Sequence, residues 1–224
     1  MEKWLNNVEE RRELLIFHVK SKIKDECIKE FTLKSLEKAP NYFWERPSST
    51  TGKWHPKDEY VEGSLILHVV KSIKMAQSIL RGMSPEDWAN FSLKYSPSAS
   101  IEFLEDCFYS AIILHDLFSS GLPNQIYKKN GKISTDPLHT IYPRQVLKDI
   151  EIKMHPDYTM SKMAEEYEWF NAIMILIEGH YGKWSCLPQI KPKDIPSWNL
   201  YMVDYIVSKN FVQIELGEED VNMT

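Results

Sequence analysis

The pair His115-Asp116 closes the apolar run Ala111-Ile112-Ile113-Leu114. An imidazole and a carboxylate at the end of a buried segment are costly to desolvate unless they are paired, hydrogen-bonded or bound to a metal. Together they form a borderline donor set suited to Zn, Fe, Mn, Co or Ni. Other residues of the same kind stand at wide intervals in similar settings. His68 lies in Leu65-Ile66-Leu67-His68-Val69-Val70, and His139 in Asp136-Pro137-Leu138-His139. His180 ends Ile173-Met174-Ile175-Leu176-Ile177-Glu178-Gly179-His180, and Asp204 sits in Tyr201-Met202-Val203-Asp204-Tyr205-Ile206-Val207. One histidine on an apolar face is usually a hydrogen-bonded core residue. Four histidines and two aspartates so placed call for a common explanation, and a metal centre supplies one.

The segments that carry these residues read as helices. Leu14, Leu15, His18, Val19, Ile23 and Cys27 follow helical spacing, which predicts one or two amphipathic helices over 8–37, with His18 on the surface or in the core. Residues 39–63 change character. They are aromatic at Tyr42-Phe43-Trp44, hydroxyl-rich at Ser48-Ser49-Thr50-Thr51 and bounded by Pro47 and Pro56, which predicts a long loop. Leu65, His68, Val69, Ser72, Ile73, Ala76 and Ile79 predict a helix over 64–80 with His68 facing inward. Ser84-Pro85 opens another helix, and a helix over 101–117 carries the His-Asp pair near its end. Lys128-Lys129-Asn130-Gly131-Lys132 predicts a hairpin turn. Further helices are expected from Pro137-Leu138-His139 to about Ile152, over 165–177 with Gly179 as C-cap, and over 197–214. No strand pattern of any length is evident. The expectation is an all-α fold, a single bundle of about seven to nine helices with an N-terminal helical extension. Residues 1–60 would hold the N-terminal helices and the loop, 61–216 the main domain, and 217–224 a frayed acidic tail.

The formal charge of -5 gives the chain as a whole no bias toward nucleic acid. Cys27, Cys107 and Cys186 are odd in number and show no Cys-x-x-Cys spacing, so neither a disulfide framework nor a cysteine zinc site is indicated. Met1-Glu2-Lys3-Trp4-Leu5-Asn6-Asn7 lacks a signal-peptide core. No apolar run approaches the roughly 20 residues that span a bilayer. A cytoplasmic protein without a membrane partner is expected.

The order His68, His115-Asp116, His139, His180, Asp204 resembles the HD-domain superfamily of metal-dependent phosphohydrolases, in the subset whose extra histidines complete a two-metal centre. Gly63-Ser64-Leu65-Ile66-Leu67-His68 is similar to the family's entry to its first histidine. Val203-Asp204-Tyr205-Ile206-Val207-Ser208-Lys209 is similar to its last helix. Glu178-Gly179-His180-Tyr181-Gly182-Lys183-Trp184 resembles the His-Gly segment of HD-type exonucleases and cyclic-dinucleotide phosphodiesterases. The resemblance spans roughly residues 60 to 212. One departure stands out. Many members carry a phosphate-binding lysine shortly after the His-Asp pair, whereas here Leu117-Phe118-Ser119-Ser120-Gly121 follows.

The resemblance implies one or two divalent transition metals (Mn, Fe, Co, Ni or Zn, with Mg disfavoured). His68, His115, Asp116 and Asp204 would hold one, and His139 and His180 the second with Asp116 bridging. His115, Asp116, His139 and His180 would thus be the catalytic set, supplying an activated hydroxide that attacks phosphorus. With a single metal, His139 and His180 would orient the substrate or protonate the leaving group. The substrate would be a nucleotide or short oligonucleotide cleaved at a phosphoester or phosphoanhydride bond, by a nucleotidase, phosphodiesterase or 3′-5′ exonuclease. Ser48, Ser49, Lys53, His55 and Lys183 are the candidates for holding phosphate. Trp44, Trp54, Trp184 and Trp198 lie in or near loops and are assigned mostly to the core. His155 receives no role. A cyclic-dinucleotide phosphodiesterase, a di-iron oxygenase and a non-catalytic nucleotide-binding protein are the alternatives.

Overall fold

The computed structural model describes residues 7–49, 55–95, 99–154 and 168–221. Its axis is α6 (Ile101–Leu114), in which Ala111 to Leu114 are entirely buried. Around it pack α1 (Val8–Lys22), α2 (Glu26–Glu37), α4 (Ser64–Leu80), α5 (Pro85–Tyr95), α8 (Glu168–Gly179) and α9 (Ile195–Val207). Helix α7 (Tyr142–Met154) lies against α2 and α8, and α3 (Asn41–Glu45) against α1 and α4. A final turn, α10 (Glu218–Val221), completes the described helices. The all-α expectation holds. Among the described residues, eight longer helices fall within the expected number, and the short α3 and α10 are additional.

Local chemistry sets the helix ends. The side chains of Asn7, Asp25, Ser100 and Asp194 accept the backbone N–H three residues on at the starts of α1, α2, α6 and α9. Between α1 and α2, the backbone N–H groups of Lys24 and Asp25 both donate to the Asp106 carboxylate on α6, at 3.0 and 2.7 Å. The N-terminal helices are thereby tied to the axis and share one hydrophobic core with it, through Leu14, Leu15, Ile28 and Phe31.

The stretch expected as one long loop over 39–63 contains α3. Its Tyr42, Phe43 and Trp44 are buried, and their burial organises a turn too short to show helical periodicity. Gly63 precedes α4 with φ of +76°, and a Cβ there would run into the Arg11 guanidinium, which donates to Trp44 O at 2.7 Å. The start of α4 is thus pinned between α1 and α3. The expected hairpin is present. Strands β3 (Lys128–Lys129) and β4 (Lys132–Ile133) pair antiparallel across Asn130-Gly131, both at positive φ, and a second small pair joins β1 (Gly121–Leu122) to β2 (Gln125–Ile126).

Several boundaries differ from expectation, among them the start of α7, which lies at Tyr142, after the turn that holds Pro137 to His139. Helix α6 stops at Leu114, so the His-Asp pair begins the following turn. Gly179 is the last residue of α8 and has no positive φ, so it is not a left-handed cap. A Cβ there would meet Ser197 and Pro192 only at ordinary contact distance. Helix α9 ends at Val207, and the acidic segment expected to fray carries α10, whose Asp220 is buried and paired with Lys74 on α4 at 2.6 Å. No described helix is long and apolar enough to cross a membrane.

Candidate metal centre

His115, His139 and His180 share one local device. Each ends or follows a helical turn, and each ring places Nδ1 on the backbone carbonyl three residues earlier. The contacts are His115 to Ile112 O at 2.7 Å, His139 to Asp136 O at 2.7 Å and His180 to Ile177 O at 2.6 Å. A carbonyl only accepts, so Nδ1 carries the hydrogen in all three rings. The carbonyls of Asp136 and Ile177 also accept the backbone N–H of the same histidine, at 3.0 and 3.2 Å, so each uses both of its lone pairs on that residue. The consequence is uniform: a neutral ring presents the bare Nε2 lone pair, the atom a metal takes.

These atoms converge. His139 Nε2 and His180 Nε2 are 3.1 Å apart, and His115 Nε2 is buried with no hydrogen-bond partner. His68, midway along α4, meets Asp204, midway along α9, at 3.1 Å between Nε2 and Oδ1. Asp204 Oδ1 is also 3.8 Å from His115 Nε2. Asp116 divides its two oxygens: Oδ2 lies 3.7 Å from His115 Nε2, while Oδ1 lies 3.7 Å from His139 Nε2 and 4.0 Å from His180 Nε2. Two metal-competent triplets result, His68–His115–Asp116 and Asp116–His139–His180, joined by Asp116. Metal–nitrogen bonds of about 2.0–2.1 Å put neighbouring ligand atoms roughly 3–3.5 Å apart. A small inward movement of each side chain reaches that spacing.

The electrostatics suit a cation. Burial, followed by the neighbouring His139 and His115, pushes the His180 pKa down to about 3, and burial also lowers that of His139. Both imidazoles are therefore neutral and ready to ligate. Burial alone would raise Asp116 and Asp204. Against burial, the hydrogen bond from the charged His68 holds the Asp204 carboxyl below its ordinary range, and attraction from the surrounding histidine cluster holds Asp116 low as well. His68 is the exception among the rings. Burial opposes its charge, yet Asp204 and Glu59 outweigh burial and raise its pKa to about 10. A metal would displace that proton. The four histidines are at most 1 % exposed, whereas the Asp116 and Asp204 side chains are 18 % and 20 % exposed. Solvent thus reaches the centre from the carboxylate side.

That side opens into a cavity of about 520 Å³ bordered by His180 and Asp204. Its wall is aromatic, made by Tyr181, Trp184, Tyr201 and Tyr205. The Tyr181 ring stands edge-on to His139 at 4.8 Å between centroids. Gly182, at φ of +50°, lets the chain pass tightly over the Tyr201 ring, where a Cβ would collide. Lysines gather at the rim. Lys209 Nζ is 3.8 Å from the Tyr205 ring centre, and Lys183 Nζ lies 5.1 Å from that of Trp184 and 5.8 Å from that of Tyr205. Trp184 is 60 % exposed and Trp198 45 %. The assignment of most loop tryptophans to the core therefore holds for Trp44 and fails for these two. Trp54 lies outside the described residues.

The phosphate candidates separate. His55 lines the cavity and hydrogen-bonds through Nδ1 to Glu59 at 2.7 Å. Lys183 reaches the rim. Ser48, by contrast, is buried and donates its hydroxyl to Glu59, with Oε2 at 2.9 Å, while Ser49 meets Glu59 O through its backbone N–H at 3.4 Å. Lys53 and His155 lie outside the described residues. Two residues escaped the sequence reading. Glu59 is a fully buried carboxylate beside His68, in a polar stretch with no apolar pattern to betray it. Arg46 is a buried cation whose guanidinium donates to Ser119 and Ser120, in the turn that lacks the expected lysine; burial lowers its pKa, and the Asp116 carboxylate opposes that only in part.

Comparison with family models, curated proteins and solved structures finds no match to this chain.

Proposed function

We propose that this chain is a metal-dependent phosphohydrolase of the HD-domain type, cleaving a phosphoester or phosphoanhydride bond of a nucleotide or an oligonucleotide end. The observation that carries this reading is the convergence of bare Nε2 atoms from His115, His139 and His180 around an Asp116 that offers one oxygen to each triplet. His68, His115, Asp116 and Asp204 would hold one transition metal. Asp116, His139 and His180 would hold the second. When bound, such metals polarise a phosphoryl oxygen and make water nucleophilic near neutral pH.

The chain's own residues do the rest. The backbone carbonyls of Ile112, Asp136 and Ile177 keep three imidazoles in one tautomer and one orientation. The buried imidazoles close the side opposite the carboxylates to bulk water, and the aromatic wall borders the cavity on the carboxylate side. Lys183 and Lys209 bring positive charge to the rim, where phosphate oxygens would arrive. Trp184 offers an exposed ring on which a base can stack, and Tyr205 stands in the cavity wall with Lys209 over its ring.

Metal analysis of the purified protein tests the reading, together with a screen of nucleotides, cyclic dinucleotides and short oligonucleotides against Mn, Co, Ni, Fe and Mg. Bound transition metal and metal-dependent release of phosphate or nucleoside are expected. If no transition metal binds and no phosphoester is turned over, the proposal fails.

A further inference from the structure

Glu59 is a carboxylate of 0 % exposure, and such a group is retained only where its lone pairs are filled. On Oε1 it receives Lys71 Nζ at 3.2 Å. On Oε2 it receives the Ser48 hydroxyl at 2.9 Å and His55 Nδ1 at 2.7 Å. The same Oε2 stands 3.5 Å from His68 Nδ1, a buried nitrogen that lacks a hydrogen-bond partner. His68 turns its other nitrogen to Asp204 in the metal triplet, and His55 reaches the cavity wall. One oxygen therefore faces both a metal ligand and a substrate-pocket imidazole, whose ring centroids are 5.6 Å apart.

His55, Glu59 and His68 also lie close enough to suggest a third metal triplet. The Lys71 ammonium argues against it, since it already supplies the compensating positive charge inside the cluster. A hydrogen-bonded hub fits better than an ion site. Ligating histidines generally pass their second N–H to a carboxylate, which fixes the tautomer and raises ligand basicity. The short approach of His68 Nδ1 to Glu59 needs only a slight ring shift to become that bond.

We infer that Glu59 is a positioning residue that sets the metal ligand His68 and the substrate-contacting His55 together through one carboxylate oxygen. The inference rests on the metal-dependent phosphohydrolase reading above. In both rings Nδ1–H donates to Glu59. The His68 Nε2 is left for the metal and the His55 Nε2 for a phosphoryl oxygen. Segment 55–59 and the metal centre are thereby a single unit. Loss of Glu59 is therefore felt at the metal ligand and at the substrate side alike.

The test compares Glu59→Gln, Glu59→Asp, His55→Gln and the double variant His55→Gln/Glu59→Gln, each checked for folding by far-ultraviolet circular dichroism. Zinc and manganese affinities are measured by titration of the metal-free protein, and kcat and KM at saturating metal. Glu59→Gln should weaken metal binding about 10- to 100-fold and lower kcat. Glu59→Asp should recover part of both. His55→Gln should leave metal affinity within about threefold while raising KM or lowering kcat. The double variant should be no slower than Glu59→Gln alone. Wild-type metal affinity in Glu59→Gln, or effects of the two substitutions that multiply, would overturn the inference.

Histidine side-chain nitrogen NMR of the zinc-loaded wild-type protein keeps the question open to refutation if Glu59→Gln does not fold. Both His55 and His68 should carry hydrogen on Nδ1, and an Nε2–H tautomer at His55 sinks the idea. If no phosphoester is ever turned over, the function fails while the affinity and tautomer measurements still decide the role of Glu59.

Discussion

His139 Nε2 and His180 Nε2 face each other at 3.1 Å, with both Nδ1 hydrogens already committed to backbone carbonyls. Two lone pairs at that distance repel unless a cation lies beside them. The fold therefore holds an unfavourable contact that a metal converts into a favourable one. A transition metal at about 100 times its Kd should add about 2.7 kcal/mol of stability. That corresponds to a rise of roughly 5–10 °C in Tm for a chain of this size. His139→Leu removes one lone pair. In the presence of chelator it should be at least as stable as wild type, and it should gain less from metal. Thermal unfolding with and without metal checks this, and equal gains in both proteins would refute the account.

Asp116 is the only residue common to both triplets. Asp116→Ala should therefore disturb both, lowering metal content and reducing turnover by at least about a thousandfold, while the helical signal persists because the side chain is not part of the apolar core. His115→Ala should abolish hydrolysis in the same way but spare the Asp116–His139–His180 triplet, so one metal per chain should remain. Metal analysis paired with phosphate release separates the two outcomes. Appreciable turnover in either variant removes these residues from the reaction.

Much of the candidate site was legible because the residues that converge on it are polar side chains set in apolar runs, as with His68 after Leu65-Ile66-Leu67 and Asp204 after Val203. That contrast is visible in one dimension. Glu59 was not legible, because Lys57-Asp58-Glu59-Tyr60 is polar throughout and its burial is created by Ser48 and Lys71 arriving from elsewhere in the chain. Helix α3 was missed for a related reason: five residues between prolines show no period, and the turn forms because Tyr42, Phe43 and Trp44 find a core. Trp184 and Trp198 misled in the other direction. Residue type pointed inward, but Trp184 sits in the connection after His180 that borders the cavity, and Trp198 lies on the outer face of α9.

On the proposed function, the exposed ring of Trp184 and the ring of Tyr205 in the cavity wall would grip a base. Stacking on an aromatic side chain contributes about 1–3 kcal/mol per base. Trp184→Leu and Tyr205→Leu should each raise KM for a nucleotide substrate roughly 10- to 100-fold, with kcat and metal content nearly unchanged. Tyr205→Phe should stay close to wild type. Steady-state kinetics on a nucleotide and on ribose 5-phosphate make the distinction: the substitutions should matter little for the sugar phosphate, and an equal loss on both would return these rings to a structural role.

Far from the metal centre, His18 on α1 meets the backbone carbonyl of Asp220 through Nε2 at 2.9 Å, which fastens α10 to the bundle. Its ring is 1 % exposed. Burial pushes the pKa down to about 4, against the Asp220 carbonyl, which favours the charged ring, and with Lys22 adding to the decrease. The unfolded chain takes up a proton at this residue near pH 6.5 and the folded chain only near pH 4. Between those values the unfolded state binds more protons, so stability falls as pH falls. The His18 contribution is intact above about pH 6.5, and the loss approaches roughly 3 kcal/mol by pH 4. His180 titrates low as well, so the His18 share must be isolated as a difference. Urea unfolding in chelator at pH 7, 5.5 and 4 should show His18→Gln less stable than wild type at pH 7, with the gap closing or reversing toward pH 4. Parallel pH profiles for the two proteins would mean that the folded state accepts the proton at His18 as readily as the unfolded chain does.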